Sequence, residues 1–327
     1  MIFGRSARRL LCAVVGLLAC LGQAVAQDYP SRQIRVVVPF AAGGASDAVV
    51  RVVAEKLGTQ LGNRRVLIDN RPGAGGNIGT DLGAKADPDG HTILFSTSGP
   101  LAVNKTLYKS LPYDPERDLE PVSLLATLPN VLVVNPQLPV VTTPEFVAYV
   151  KQRSDQVAYA SIGNGSSQHL AGVLFEQATG TRMRHVPYRT AGQFVVDLMS
   201  GDVPASFQLV PNVLSQLRAG KIRAVAVMGA KRSRSLPDVP TMAEQGVPGL
   251  ESAAWFGLLV PRGTPQPIID LLNREVVRAL ADPEVQAKLI EIGADPAPST
   301  PAEFKALIAS ETVKWRELIK DMDIKAD

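Results

Sequence analysis

The sequence predicts an α/β protein built as two similar halves, each around parallel strands. Three observations carry this. Short apolar, β-branched runs alternate with helical stretches, the pattern of strands buried on both faces and joined by right-handed crossovers. A Gly-rich loop follows a strand and precedes a helix in each half: Gly43-Gly44, then Gly163-Asn164-Gly165-Ser166-Ser167. Two apolar extended segments, around Pro129 and at Ala253–Pro261, interrupt the alternation and can carry the chain between halves.

The chain has 327 residues, and its first 26 read as a secretory signal peptide. Arg5, Arg8 and Arg9 form a basic start, residues 10–21 an apolar stretch too short to span a bilayer comfortably, and Ala24-Val25-Ala26 a small-x-small cleavage site. Cleavage there starts the mature protein at Gln27. Leu17-Leu18-Ala19-Cys20 is a weaker, lipoprotein-like alternative. Both cysteines, Cys12 and Cys20, lie in this leader, so the mature chain carries no disulfide. A chain of about 300 residues can bury enough core without one. Without the three leader arginines, the 34 basic residues fall to match the 31 acidic ones. A neutral chain does not point to nucleic acid or an anionic membrane surface. The size suggests about two domains.

Residues 34–40 form the first strand. Its core is Val36-Val37-Val38, and Pro39, which lacks an N–H, ends the pairing. Ser46 or Asp47 then caps a helix with Val49, Val53, Leu57 and Leu61 on one face, stopping at Gly62. Residues 65–69 are the second strand. Asn77 caps a helix to about Ala86, and residues 92–96 are the third strand. Residues 97–121 read as a long, Pro-bearing loop. Residues 122–128 and 131–135 are extended, with Pro129 between them as a crossing point.

The second half repeats the plan. Thr143-Pro144 opens a helix to about Arg153, residues 157–161 are a strand, and a helix runs from about Gln168 to Thr179. Strands at 184–188, 203–209 and 222–228 alternate with helices at 192–200 and 211–219. Thr241-Met242-Ala243-Glu244 is a capping box. After the strand Ala253–Pro261, Thr264-Pro265 and Thr300-Pro301 each open a further helix. In the last one, Phe304, Leu307, Ile308, Val313, Trp315 and Leu318 lie close to one face.

Strand, Gly loop and helix start aim free backbone N–H groups at an anion. One such turn is a weak signal; two facing each other would clamp a carboxylate from both sides, helped by the hydroxyls of Ser161, Ser166 and Ser167. Neither loop contains Lys or Arg. An anion there would rest on dipoles, hydroxyls and water, which suits reversible binding better than tight phosphate binding. Asp47 reads mainly as a cap that fixes the first loop, with contact to ligand as the other reading. His169 can touch a ligand or make a structural hydrogen bond. His91, His169 and His185 show no metal-ligand spacing, so no metal or cofactor is expected. GNGSSQH lacks the Lys of a phosphate loop, and GAGGNIG has Ile78 where a dinucleotide fingerprint needs Gly. A serine hydrolase is a remote alternative: there is no G-x-S-x-G elbow, and Ser166 and His169 lie on one segment. A ligand sensor presenting a closed form to a receptor would use the same site.

The ordered blocks VVVPFAAGGASD, DNRPGAGGNIGTDLGAKADPDGHTILFS, LPYDPERDLEPVS, SIGNGSSQHLAG, HVPYRTAGQFVVDLMSGDV, LPDVPTMAEQGVPGLESAAWFGLLVPRGTP and LNREVVRALADPEV span the mature chain. With them it resembles the Bug-type periplasmic solute-binding proteins of tripartite tricarboxylate transporters. The resemblance implies a type II periplasmic-binding-protein fold, a Venus flytrap of two α/β domains joined by crossing strands. Residues 27–127 with 252–327 would form one domain and residues 128–251 the other. It implies a small organic carboxylate held, partly through water, between loop 40–47 (Phe40, Ala42, Gly43, Gly44, Asp47) and loop 161–169 (Ser161, Gly163, Gly165, Ser166, Ser167, His169). Ser96, Thr97 and Ser98, and Gln208 and Leu209, would line the cleft and tune selectivity. It implies a monomer that binds and releases its ligand without chemistry and docks on membrane permease subunits. Two departures stand out: Ala42, where the family often has Pro, and Thr190, where it often has Gly.

Overall fold

The computed structural model describes residues 29–62, 66–188 and 191–321. The expected leader 1–26, Arg65 and Thr190 lie outside the described residues.

In chain order the first lobe begins β1 (Ile34–Val38), α1 (Ala45–Gln60), β2 (Val66–Asn70), α2 (Asn77–Ala84), β3 (Thr92–Thr97). All three strands run parallel, with β1 between β2 and β3. The stretch expected as a loop is instead largely helical: a π-helical turn at Gly99–Val103, then α3 (Asn104–Leu107) and α4 (Pro115–Asp118). Its apolar residues Leu101, Ala102, Val103 and Leu107 are all buried, but over so short a run they show no clear period. Asp114 caps α4 by accepting the Glu116 N–H, with Pro115 at the first helical position.

β4 (Leu119–Val134) joins the two extended segments and runs through the expected crossing point at Pro129 as one strand of 16 residues. Its first part pairs antiparallel with Ala253–Pro261, and from Asn130 onward it pairs with Ala205–Leu209 and Arg223–Val227. Pro129 stands where the partners change, the place in a strand where a missing N–H disturbs the ladder least.

The second lobe contains α5 (Thr143–Gln152), β5 (Ala158–Ser161), α6 (Ser167–Thr179), β6 (Arg184–Pro187), α7 (Ala191–Ser200), β7 (Ala205–Leu209), α8 (Val210–Arg218) and β8 (Arg223–Val227). The chain returns to the first lobe through β9 (Ala253–Pro261). It ends with α9 (Gln266–Ala281), α10 (Pro283–Glu291), the short β10 (Asp295–Pro296) and α11 (Pro301–Asp321). The strand order β2-β1-β3-β9-β4-β7-β5-β6 makes β4 and β9 the crossing strands, as a Venus flytrap requires.

Caps depart from the sequence reading at four helices: Gly44 caps α1 and Gly76 caps α2, with Asn77 its first residue. Thr142, not Thr143, caps α5 in a full capping box with Glu145. Thr300 and Glu303 bond reciprocally at α11. At α9 the cap is Pro265, because the Thr264 hydroxyl donates to the Pro261 carbonyl instead.

Each lobe's sheet is covered on both faces. In the first lobe, Val36, Val38 and Phe95 pack with Val53, Leu272 and Leu289 on one side; Val37, Leu94 and Leu259 pack with Phe304, Ile308 and Trp315 on the other. Leu170 and Val173 of α6 join this second cluster, so the start of α6 is packed against the first lobe. In the second lobe, Phe146, Tyr159, Phe175 and Phe207 fill one side, and Phe194, Leu198 and Val213 the other.

Candidate functional site

Strands β1 and β3 of one lobe and β5 and β7 of the other end at the loops predicted to bind. Carboxyl ends of parallel strands are where open α/β sheets hold ligands.

In the first loop, Ala42, Gly43 and Gly44 are exposed. Gly43 has φ +84° with open space where a Cβ would stand. Gly44 is the N-cap of α1 and offers no side chain to its N–H groups. Asp47 is therefore not the cap; it is the third helical residue and turns back on the loop. Its Oδ2 accepts the Gly43 N–H at 3.0 Å and Arg51 Nε at 2.8 Å; its Oδ1 accepts Asn70 Nδ2 at 3.1 Å. Asn70 Nδ2 also reaches the Phe40 carbonyl at 3.0 Å, so one carboxylate and one amide hold both ends of the loop. Burial would raise the Asp47 carboxyl, but the bonds from Arg51, Gly43 and Asn70 outweigh it and hold it below its ordinary range. Arg51, the nearby cation, is thereby engaged.

The second loop uses neutral groups. Gly163 and Gly165 have φ +119° and +72°, conformations that glycine alone adopts without strain. Ser166 caps α6: its Oγ accepts the His169 N–H at 3.2 Å and donates to the Gly163 carbonyl at 2.7 Å. The Gly163 N–H donates to Ser161 Oγ at 3.1 Å. His169 Nδ1 accepts the Gly165 N–H at 3.0 Å, which puts the ring proton of neutral His169 on Nε2. His185 Nε2 lies 2.6 Å from Ser161 Oγ, and its ring stacks on His169 at 3.9 Å and 10°. Burial lowers His169 to about 4; burial, and then the neighbouring His169, lower His185 to about 3. At neutral pH the pair is uncharged. Ser161 and Ser166 thus spend their hydroxyls on the loop itself, while Ser167 Oγ donates to Gln168 Oε1 at 3.1 Å.

The cleft-lining candidates lie deeper than expected. Ser96, Thr97 and Ser98 are buried at the end of β3, with Ser96 Oγ 3.4 Å from Thr80 Oγ1. Gln208 is buried with both ends of its amide engaged: Nε2 donates to Ser206 Oγ at 3.0 Å and Oε1 accepts from Asn212 Nδ2 at 3.2 Å. Leu209 packs into the first lobe's core.

The structure adds residues that sequence reasoning missed. Asn70 and Arg51 fasten the first loop. His185, on the neighbouring strand, supports the second. Leu107 of α3 packs directly on Gly165: its Cδ2 stands 2.1 Å from where a Cβ would be. The second loop therefore touches the first lobe. Arg51 stands four residues after Asp47 on one helix, a local signal that the sequence offered; the others act across the fold and have none. Among the described residues no group of three or more His, Cys, Asp or Glu could hold a metal ion, and no helix is long and apolar enough to cross a membrane.

Two lobes joined by crossing strands, with a Gly loop at the strand ends of each, define a solute-binding protein of the Venus-flytrap class. Residues 49–324 match the model of the tripartite tricarboxylate transporter family receptor, and the chain belongs to that family. It is 41% identical to Protein BugT of Bordetella pertussis over 320 residues, covering 96% of this chain and 98% of that one. Among solved structures it is similar to R. palustris Rpa4515 with adipate (38% identity, TM-score 0.82, covering 91% of this chain and 99% of that one). It is similar also to MatC from Rhodopseudomonas palustris with bound malate (34% identity, TM-score 0.76, covering 89% and 100%). A further neighbour is the periplasmic binding protein BugD (34% identity, TM-score 0.78, covering 91% and 100%).

Proposed function

We propose that this chain is a periplasmic receptor, exported by its leader 1–26, that captures a small organic carboxylate between loops 40–47 and 161–169. It then delivers the ligand to the permease subunits of a tripartite tricarboxylate transporter. The single observation that carries this is the pairing of two Gly loops at strand ends, each fastened from behind by its own side chains. Asp47 and Asn70 hold the first; Ser161, Ser166 and His169 hold the second. Fixing the loops in this way is preorganisation; it engages the Gly43, Gly163 and Gly165 N–H groups, so the N–H groups that face the anion in this reading are those at the starts of α1 and α6. Phe40, Ala42, Gly43, Gly44, Gly163, Gly165 and Ser167 form the gripping surface in this reading. Residues 27–127 with 252–327 and residues 128–251 are the two bodies that open and close around the ligand. The adipate and malate of the two neighbours support the carboxylate class.

The test is a thermal-shift screen of the mature chain with mono-, di- and tricarboxylates. A true ligand at 100 times its Kd adds ~2.7 kcal/mol of stability. Stabilisation by a non-acid with no response to any carboxylate would overturn the proposal.

A further inference from the structure

We propose that Asn130 and Gln168 form a hydroxyl-recognising subsite at the base of the second loop, which makes the preferred ligand a hydroxycarboxylate. This deepens the carboxylate reading above and rests on it.

Both side chains are buried, Asn130 with 0% and Gln168 with 1% of its surface exposed. Asn130 Nδ2 donates to Ser252 Oγ at 3.0 Å and to the Ser167 carbonyl at 3.3 Å. Those partners fix the amide: turned over, Asn130 would set its oxygen against the Ser167 carbonyl. Its Oδ1 has no hydrogen-bond partner in the protein. Gln168 Oε1 accepts from Ser167 Oγ, and its Nε2 likewise has no partner in the protein. Buried polar groups are rarely left this way, so an acceptor and a donor are each directed at something other than the chain.

Their position points to the cleft. Asn130 is the residue of β4 where pairing passes from β9 to β7, in register with Leu209, the last residue of β7. Gln168 is the second residue of α6, directly after the loop that grips the ligand. Both therefore stand at the carboxyl-end side of the second lobe's sheet, where ligands of such sheets bind.

Asn130 bonds the carbonyl of Ser167, the residue before Gln168, so one group can be offered to both amides, donating to Asn130 Oδ1 and accepting from Gln168 Nε2. A hydroxyl does both. A carboxylate oxygen has no hydrogen for Asn130, and a methylene serves neither. A site built around a hydroxyl discriminates against the analogue that lacks it, because the buried groups are then unpaired.

The experiment is calorimetric titration of the mature chain with matched pairs differing by one hydroxyl: tartronate and malonate, malate and succinate, 2-hydroxyadipate and adipate. In at least one pair the hydroxylated member is expected to bind at least ~10-fold tighter. Gln168→Met should bring that pair within about threefold of parity by weakening the hydroxy acid alone. Gln168→Leu, also without the donor and without charge, replaces it if the Met variant fails to fold. Equal affinity within every pair overturns the inference. So does equal weakening of both members by the variant, which would assign the subsite to a buried water. If no member of any pair binds, the carboxylate reading fails and this inference falls with it.

Discussion

The two loops share a backbone plan and differ in what holds them. The first is fastened by a charge: Asp47, with Arg51 and Asn70, ties Gly43 and Phe40 in place while the loop's tip stays in solvent. The second is fastened by neutral groups, a stacked His169–His185 pair and two serines, and Leu107 packs on its Gly165. In the proposed function, the contrast makes an anion site preorganised without a cation facing the ligand. One loop keeps its charges behind it, and the other has none. It also separates the two in their sensitivity to size and to acid.

The largest difference is expected for glycine replacement. Gly165→Ala meets both a left-handed φ and Leu107 Cδ2 at 2.1 Å. Left-handed strain of ~1–2 kcal/mol and overpacking of ~1–3 kcal/mol combine to about 3 kcal/mol, or about a hundredfold in ligand affinity. Combining it with Leu107→Ala should recover the overpacking part; titration of both variants checks this, and no recovery would mean that Leu107 is not the obstacle.

Acid comes next, and it should strike the second loop first. A histidine whose folded pKa is depressed stabilises the fold fully above its unfolded value of 6.5. That contribution is lost as pH falls towards the folded value, about 4 for His169. At pH 5 His169 alone accounts for a loss of about 2 kcal/mol. The depressed Asp47 carboxyl contributes stability above its ordinary value of 3.8 and loses it only below that, so the first loop outlasts the second. Urea denaturation from pH 7.5 to 5 should show the loss, and His169→Gln should flatten it. An unchanged slope in that variant would remove His169 from the account.

Asp47→Ala strips Arg51 and Asn70 of their partner. The expected cost is about 2 kcal/mol, short of a fully buried pair because Arg51 is 52% exposed and rehydrates. Chemical denaturation measures it, and a change below about 0.5 kcal/mol would make the Asp47 network an exposed ion pair of little consequence.

The smallest effect falls to Gly43→Ala. It meets the same left-handed strain as Gly165 with nothing within 4 Å, so about 1 kcal/mol and less than tenfold in affinity is expected. Equal losses at Gly43 and Gly165 would erase the proposed difference between the loops.

Much of this was legible in the sequence where the physics is local. Apolar β-branched runs located the strands, β9 among them to the residue. Thr300-Pro301 located the start of α11, and Ser161 and Ser166 were singled out beside their glycines. Pro129 reads as a crossing point, and the partners of β4 change there. What failed was set elsewhere in the fold. Thr264 resembles Thr300 but bonds the Pro261 carbonyl, a choice made by the strand before it. His185 stands 24 residues from Ser161, and only the parallel pairing of β5 with β6 brings them together. Leu107 is an ordinary apolar residue until α6 is packed against its helix.

The central claim is a carboxylate held by two loops without an ion pair. A crystal structure of the mature chain with its tightest carboxylate tests it most directly. The account predicts the carboxylate between residues 40–47 and 161–169, bonded to backbone N–H groups and ordered water, with Arg51 still on Asp47. A carboxylate paired to an arginine or lysine, or bound away from both loops, would contradict it.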